Sequence, residues 1–307
     1  VVGDGLHVLP CTSSPVQRGV EERAAEEIYH RQALAFGAAG QALIGRARIA
    51  IVGCGGLGSV LAEQLAHLGV RSFVLVDHDH VETTNLNRLV FARPEDAMTE
   101  RLKVEVIARG IREVSPEAHV EVLAGSIADT DIQERVKDVD LILAGTDNHG
   151  ARLVLNQLAL RYLIPYMDLG TGIQVEDGRI VHAGGQIFFA RPGDACLQCA
   201  GIVHADRAQL DLMTEGERRR HVARGYGLGV PQPAVLFLNA ALASLAVGEV
   251  VKWLTGYRWA QDMVRLDLLA PAVQAVVAPE PDPDCPACHR RALYGRGDEP
   301  SCSPWEA

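Results

Sequence analysis

The sequence predicts an α/β fold: a mainly parallel sheet with helices on both faces, continued by antiparallel strands, a crossing loop and a C-terminal part tied back to the sheet. Three observations predict it. Up to Gly170, short all-apolar runs alternate with segments of helical spacing, the signature of strands buried on both faces and linked by helices. Beyond Gly170 the texture changes to strands punctuated by glycine and turn residues. Two cysteine pairs, Cys196-x-x-Cys199 and Cys285-x-x-Cys288, then bracket the last third of the chain.

Taken in order, residues 21 to 44 place Ile28, Ala35, Phe36, Ala39, Leu43 and Ile44 at helical spacing, which predicts one helix or two joined at Gly37. Ile49 to Val52 is a buried strand, Gly53 to Gly58 a turn, Ser59 to Leu68 a helix, and Phe73 to Val76 the next strand. After these come a helix near 101–113, a strand near 119–124, a helix near 130–136, the strand Leu141 to Leu143, a helix near 149–162 and the strand Pro165 to Leu169. Gly172 to Val175 and Arg179 to Ala190 read as antiparallel strands turning at Glu176-Asp177-Gly178, with Gly184-Gly185 marking a bulge or second bend. A polar crossing segment (203–230), a helix near 233–254 and strands Met263 to Leu268 and Ala272 to Val277 complete the pattern.

The 307 residues suit one large or two modest domains, and 48% hydrophobic with 22% charged residues excludes a disordered or fibrous chain. The apolar stretch Ala234 to Val251 is interrupted by Asn239, Ser244 and Glu249, so no membrane span is expected. The first ten residues lack a basic start followed by an apolar core, and a cytoplasmic location is expected by default. Net charge is −10, and outside Arg218, Arg219 and Arg220 the bases are dispersed, so no nucleic-acid partner is expected.

The turn Gly53-Cys54-Gly55-Gly56-Leu57-Gly58 lies between strand and helix, where glycines let backbone amides approach an anion at the helix N-terminus. Asp77, ending the second strand, suits ribose hydroxyls. These residues predict a nucleotide but do not choose between ATP and a dinucleotide. An ordered series of polar residues makes the choice: Asp77-His-Asp79, then Asn85-Leu86-Asn87-Arg88, Lys103, and Thr146-Asp147-Asn148 with Arg152 and Asn156.

This series resembles the ThiF, MoeB and HesA superfamily, which includes the adenylation domains of ubiquitin-activating enzymes, and the resemblance runs from Tyr29 to His289. It implies a Rossmann-like adenylation domain over 21–290, with a nucleotide half at about 46–170, a substrate and zinc half at about 171–290, an arm at 1–20 and a tail at 291–307. It also implies that Arg88 and Lys103 grip ATP phosphates, Asp147 holds Mg²⁺, Asp77 takes the ribose and Asn85 contacts the phosphate region. The interval from Arg88 to Lys103 exceeds the family's, which leaves Arg101 as a rival. Asp79 stays open between a ribose or metal role and bonding within its turn. Tyr29-His30-Arg31-Gln32 resembles the motif whose arginine enters the neighbouring subunit's site, so Arg31 is the expected cross-subunit ligand in a homodimer.

Two C-x-x-C pairs suit a tetrahedral, structural Zn²⁺ held by Cys196, Cys199, Cys285 and Cys288, with no position left for catalysis. Cys54 reads as a small hydrophobe, and Cys11 and Cys302 as thiols of the terminal arms. No cysteine lies between 200 and 284, where relatives that form a thioester carry theirs. The resulting expectation is ATP-dependent adenylation of a ubiquitin-like or sulfur-carrier protein ending in glycine, for transfer to a conjugating enzyme or sulfur donor. Adenylation of a peptide or tRNA base, a silent modifier-binding scaffold and a nicotinamide-dependent oxidoreductase are the alternatives.

Overall fold

The computed structural model describes residues 27–213, 233–289 and 293–298. Expectations about the arm at 1–20, Cys11, Arg218 to Arg220, most of the crossing loop and Cys302 lie outside the described residues.

One eight-stranded sheet in the order β3-β2-β1-β4-β5-β6-β7-β8 forms the centre. Its strands are β1 (Arg48–Val52), β2 (Ser72–Asp77), β3 (His119–Ala124), β4 (Leu141–Ala144), β5 (Tyr166–Glu176), β6 (Arg179–Ala190), β7 (Met263–Asp267) and β8 (Ala272–Val276). Pairing is parallel from β3 through β5 and antiparallel from β5 through β8. The helices are α1 (His30–Arg46), α2 (Gly56–Leu68), α3 (Pro94–Met98), α4 (Lys103–Val114), α5 (Thr130–Val136), α6 (His149–Tyr162), α7 (Ala205–Asp211) and α8 (Leu236–Thr255).

The alternation of strand side chains divides the core into two layers. Ile49, Ile51, Phe73, Leu75, Leu141 and Leu143 face α1, α2, α4 and α8, whereas Ala50, Val52, Val74, Val76, Ile142 and Ala144 face α5 and α6. Both faces being covered explains why the central strands are uninterrupted apolar runs. Helix α8 is long and apolar enough to cross a membrane by length and composition. Here one side of it, with Leu242, Ala243, Ala246 and Val250, packs fully buried in the core it shares with α2 and the sheet.

Three local expectations are settled or changed. Gly37, at φ 73° and ψ 161°, breaks α1 into two helical pieces that run on together. The strands expected at 165–169 and 172–175 are one strand, β5, because β6 pairs with it continuously from Tyr166 to Glu176. Gly184-Gly185 is neither bulge nor bend; both lie in the β6–β7 ladder, and the register shift falls at Gln174/Val175 instead. A Cβ on Gly184 would lie 2.3 Å from the Leu266 carbonyl oxygen, so glycine serves close approach there.

Register places the chemistry. Val52 is opposite both Val76 and Ala144, so β1, β2 and β4 end at one level. The glycine turn, Asp77 and Thr146-Asp147 therefore emerge together where connections from β1 lead one way and those from β4 the other, the usual ligand position in such sheets.

Candidate nucleotide site and four-thiol cluster

Gly53 adopts φ 86°, a conformation that favours glycine, and its N–H donates to the Val76 carbonyl at 2.9 Å. A Cβ on Gly58 would sit 2.0 Å from the Gly53 carbonyl oxygen, so α2 rests directly on the turn. A Cβ on Gly55 would meet nothing within 4 Å, and no side chain caps the α2 N-terminus at this residue. Asp77 closes the turn: its Oδ2 accepts from Cys54 N at 2.7 Å and its Oδ1 from Asp79 N at 2.8 Å. Burial pushes its carboxyl up, against the two amides and the charge of Lys103. Cys54 is fully buried, as a small core residue.

Lys103, the first residue of α4, donates through Nζ to Asp79 Oδ2 at 2.7 Å, and its backbone N–H donates to the Asp79 carbonyl at 3.0 Å. Burial opposes ionisation of Asp79, yet the Lys103 hydrogen bond and charge hold its carboxyl below the ordinary range. Arg101 turns the other way, pairing with Asp96 at 3.5 Å. The geometry thus sets Lys103, not Arg101, beside the turn. Asp96 is fully buried and accepts two bonds of 2.8 Å from Arg109, fixing the loop that separates Arg88 from Lys103.

Arg88 crosses the α2 N-terminus, its Cγ 3.4 Å from a Cβ placed on Gly56, and its Nη1 donates to the Thr84 carbonyl at 2.6 Å. Asn85 is buried and its Oδ1 accepts from Glu82 N at 3.2 Å, so its amide shapes the loop presenting Arg88. After β4, Asn148 rather than Asp147 caps α6, its Oδ1 accepting from Ala151 N at 2.7 Å. Asp147 is left exposed beside the turn. Thr146 Oγ1 is buried without a hydrogen-bond partner, and Thr146 N lies 3.3 Å from a Cβ on Gly53. An unpartnered buried hydroxyl, a cradle that side chains would fill and cationic groups on both flanks fit a nucleoside triphosphate.

Arg31 is not brought to this site. Tyr29 packs on Gly69 and Gln32 Nε2 donates to the His67 carbonyl at 3.0 Å, both at the far end of α2. The helix separates that end from the turn by about 18 Å, beyond an arginine's reach. Asn239, which in the sequence only interrupts an apolar stretch, is a site residue: it is buried, and a Cβ on Gly56 would meet its Nδ2 at 2.3 Å. Its Oδ1 accepts from Thr171 Oγ1 at 2.9 Å on one face of β5, and a cleft of about 580 Å³, which Thr171 also lines, lies on the other face over β5 to β8.

The four sulfurs of Cys196, Cys199, Cys285 and Cys288 lie within 4.8 Å of one another, with separations of 3.8, 3.7 and 3.4 Å for three pairs. Tetrahedral zinc with bonds near 2.3 Å needs sulfurs about 3.8 Å apart, so the cluster fits Zn²⁺. Asp282 N donates to Cys199 Sγ at 3.4 Å, an outer contact typical of thiolate ligands. Burial, with neighbouring thiols, pushes the metal-free Cys196 thiol up to about 11, so metal uptake releases its proton.

Fold and site define a class: a Rossmann-like nucleotide-binding enzyme whose antiparallel extension carries a four-thiol cluster. The ThiF family model matches residues 29–287, and the chain belongs to the ThiF family. It is 30% identical over 264 residues to the sulfur carrier protein ThiS adenylyltransferase of Bacillus subtilis (strain 168), covering 85% of this chain and 70% of that protein. It is 30% identical over 242 residues to ubiquitin-like modifier-activating enzyme 5 of Drosophila virilis, covering 74% of this chain but only 57% of that protein. By these relatives it is an enzyme of the adenylyltransferase and modifier-activating type. Crystal structures of E. coli MccB with ATP (TM-score 0.66, 21% identity, 85% of this chain and 74% of that one) and of PaaA (0.63, 21%, 86% and 84%) share the fold.

Proposed function

We propose that the protein uses Mg·ATP to adenylate the C-terminal carboxylate of a ubiquitin-like or sulfur-carrier protein, releasing pyrophosphate. One observation carries the reading: the glycine turn, Asp77, Arg88, Lys103 and Thr146-Asp147 meet at one end of the sheet, and β5 continues from there into a cleft, lined by Arg152 and Gly170 to Gly172, that is sized for an extended tail. A carboxylate oxygen of the tail forms a bond to the α-phosphorus while the bond from that phosphorus to the bridging oxygen breaks. Pyrophosphate departs with the electron pair, and no proton moves. Catalysis is then positioning and charge neutralisation.

Arg88 places a guanidinium across the phosphates and Lys103 a point charge on the opposite flank. Asp77 retains lone pairs on both oxygens for ribose hydroxyls. Asp147 would hold Mg²⁺, which supplies charge neutralisation along the phosphates. The distance from Arg31 to its own turn supports a homodimer in which this arginine serves the partner's site. Zn²⁺ on the four cysteines would be structural. With those thiols committed to metal, Cys54 is the other cysteine among the described residues; it is fully buried, and burial, then Asp77, raises its thiol well above the ordinary range. These thiols supply no acceptor, and the reading is that the acyl-adenylate accumulates for a sulfur donor or conjugating enzyme to consume. Cys11 and Cys302 lie outside the described residues, and a thiol-sensitive adduct lost in Cys11→Ala or Cys302→Ala would overturn it.

Pyrophosphate exchange into ATP tests the reading. Wild type should catalyse exchange only with Mg²⁺ and a partner ending in glycine, and Asp147→Ala should lose about 100-fold or more with its melting temperature unchanged. Equal exchange by both proteins would refute the metal role.

A further inference from the structure

A half-buried charged group to which the adenylation reading gives no task is Arg152, on the first turn of α6. Its side chain is 15% exposed and that of Asp168 1%. Arg152 Nε donates to Asp168 Oδ1 at 3.0 Å, and the hydroxyl of fully buried Tyr166 donates to the same oxygen at 3.0 Å. Tyr166 and Asp168 alternate on β5, so both point to the α6 side of the sheet. A buried ion pair is costly to maintain and apolar residues of similar volume would pack as well, so it contributes little to stability by itself.

What distinguishes this pair is where its donors face. Of the five N–H donors of a guanidinium, Nε is spent on Asp168, and among the described residues the two Nη groups make no hydrogen bond. Arg152 lines the cleft beside Gly170, Thr171 and Gly172. A Cβ on Gly170 would lie 3.2 Å from Arg152 Nη2, so glycine leaves that edge uncovered. Thr171 points to the other face of β5, toward Asn239, so the link from Arg152 to the nucleotide site runs instead along its own side of the sheet. The charge of Asp147, which stands beside the glycine turn, acts on the Arg152 guanidinium, and this sets the uncovered edge near the Asp147 end of the site.

We propose that Arg152 receives the terminal carboxylate of the incoming tail through its Nη groups, with Asp168 and Tyr166 as positioning residues that hold the guanidinium edge toward the cleft. The proposal rests on the adenylation reading and names the group that binds its nucleophile. The nucleophile must arrive ionised. An arginine binds a carboxylate by paired, planar hydrogen bonds and never donates its proton, whereas a lysine or histidine there could neutralise the attacking oxygen.

The test separates carboxylate recognition from structural support. A synthetic peptide ending in Gly-Gly, as the free acid and as the C-terminal amide, is titrated into the full chain with a non-hydrolysable ATP analogue. Wild type should bind the acid roughly ten- to a hundredfold more tightly than the amide, the range of a charge-assisted hydrogen bond. In Arg152→Gln the acid should fall to the affinity of the amide, which itself stays constant. Arg152→Lys should keep a reduced preference, and Asp168→Asn should weaken the preference without changing amide binding. Gly172→Val, whose side chain starts in open space, should leave the melting temperature unchanged and lose both peptides. Equal binding of the two forms by wild type, no binding of either at about 10 mM, or a preference that survives in Arg152→Gln or is undiminished in Arg152→Lys overturns the proposal. The adenylation reading fails separately, on absence of pyrophosphate exchange, whichever way the peptides bind.

Discussion

Adding one methyl group at either of two neighbouring glycines should damage different things. At Gly58 the new Cβ would stand 2.0 Å from the Gly53 carbonyl oxygen, a backbone atom held by the Gly53 to Val76 and Gly145 to Val52 hydrogen bonds of 2.9 and 3.0 Å. Neither side can yield without separating α2 from the sheet. Gly58→Ala should therefore cost at the upper end of overpacking, about 3 kcal/mol, and lower the melting temperature by roughly 6 °C for a chain of this size. At Gly55 the φ of −84° is open to alanine and the Cβ meets no atom within 4 Å, so Gly55→Ala should melt with wild type. Its methyl enters the anion cradle, and displacing a phosphate by about 1 Å should weaken ATP use about 100-fold. Differential scanning fluorimetry and titration with a fluorescent ATP analogue read the two effects. The reasoning is refuted if Gly58→Ala is as stable as wild type, or if Gly55→Ala binds the analogue normally.

The same geometry sets three more outcomes. Purified protein should hold one zinc per chain by elemental analysis, and Cys285→Ser should lose metal and stability while Arg88→Ala keeps both; a metal-free wild type prepared without chelator would contradict this. Hydrogen bonds from Arg109 hold the buried Asp96 carboxyl below its ordinary range. Since the folded carboxyl titrates below the unfolded one, this contribution is complete above about pH 4 and is lost as the pH falls through the folded value. Asp96→Ala should cost about 3 kcal/mol at pH 7 and much less near pH 2 by chemical denaturation, and an equal cost at both would count against the pair. Inactive Arg31→Ala and Asp147→Ala chains, once mixed and exchanged, should recover part of the activity, because one hybrid site then has both groups. No recovery after verified exchange would place Arg31 outside the partner's site.

The parallel half was legible because its physics is local. Strands covered on both faces must be apolar runs, as in Ile49 to Val52 and Phe73 to Val76, and the left-handed Gly53 turn between strand and helix can be read without knowing what surrounds it. Gly184 and Gly185 were harder, since a glycine signals a bend and a close approach equally, and the Leu266 carbonyl that decides between them is far along the chain. The choice between Lys103 and Arg101 likewise depends on a third residue, Asp96, which draws Arg101 away. Asn239 and Thr171 meet 68 residues apart, and no spacing rule links an amide in an apolar helix to a glycine turn. Arg152 was visible as part of a motif, but its direction is set by β5, through Asp168.

The central claim is tested most directly by mass spectrometry of the reaction products. Enzyme, Mg·ATP and a carrier protein ending in Gly-Gly, quenched in acid, should give a carrier heavier by one adenylate, with pyrophosphate in solution and no mass added to the enzyme chain. ADP with inorganic phosphate, or a thiol-sensitive carrier adduct on the enzyme in place of the adenylated carrier, would contradict this mechanism.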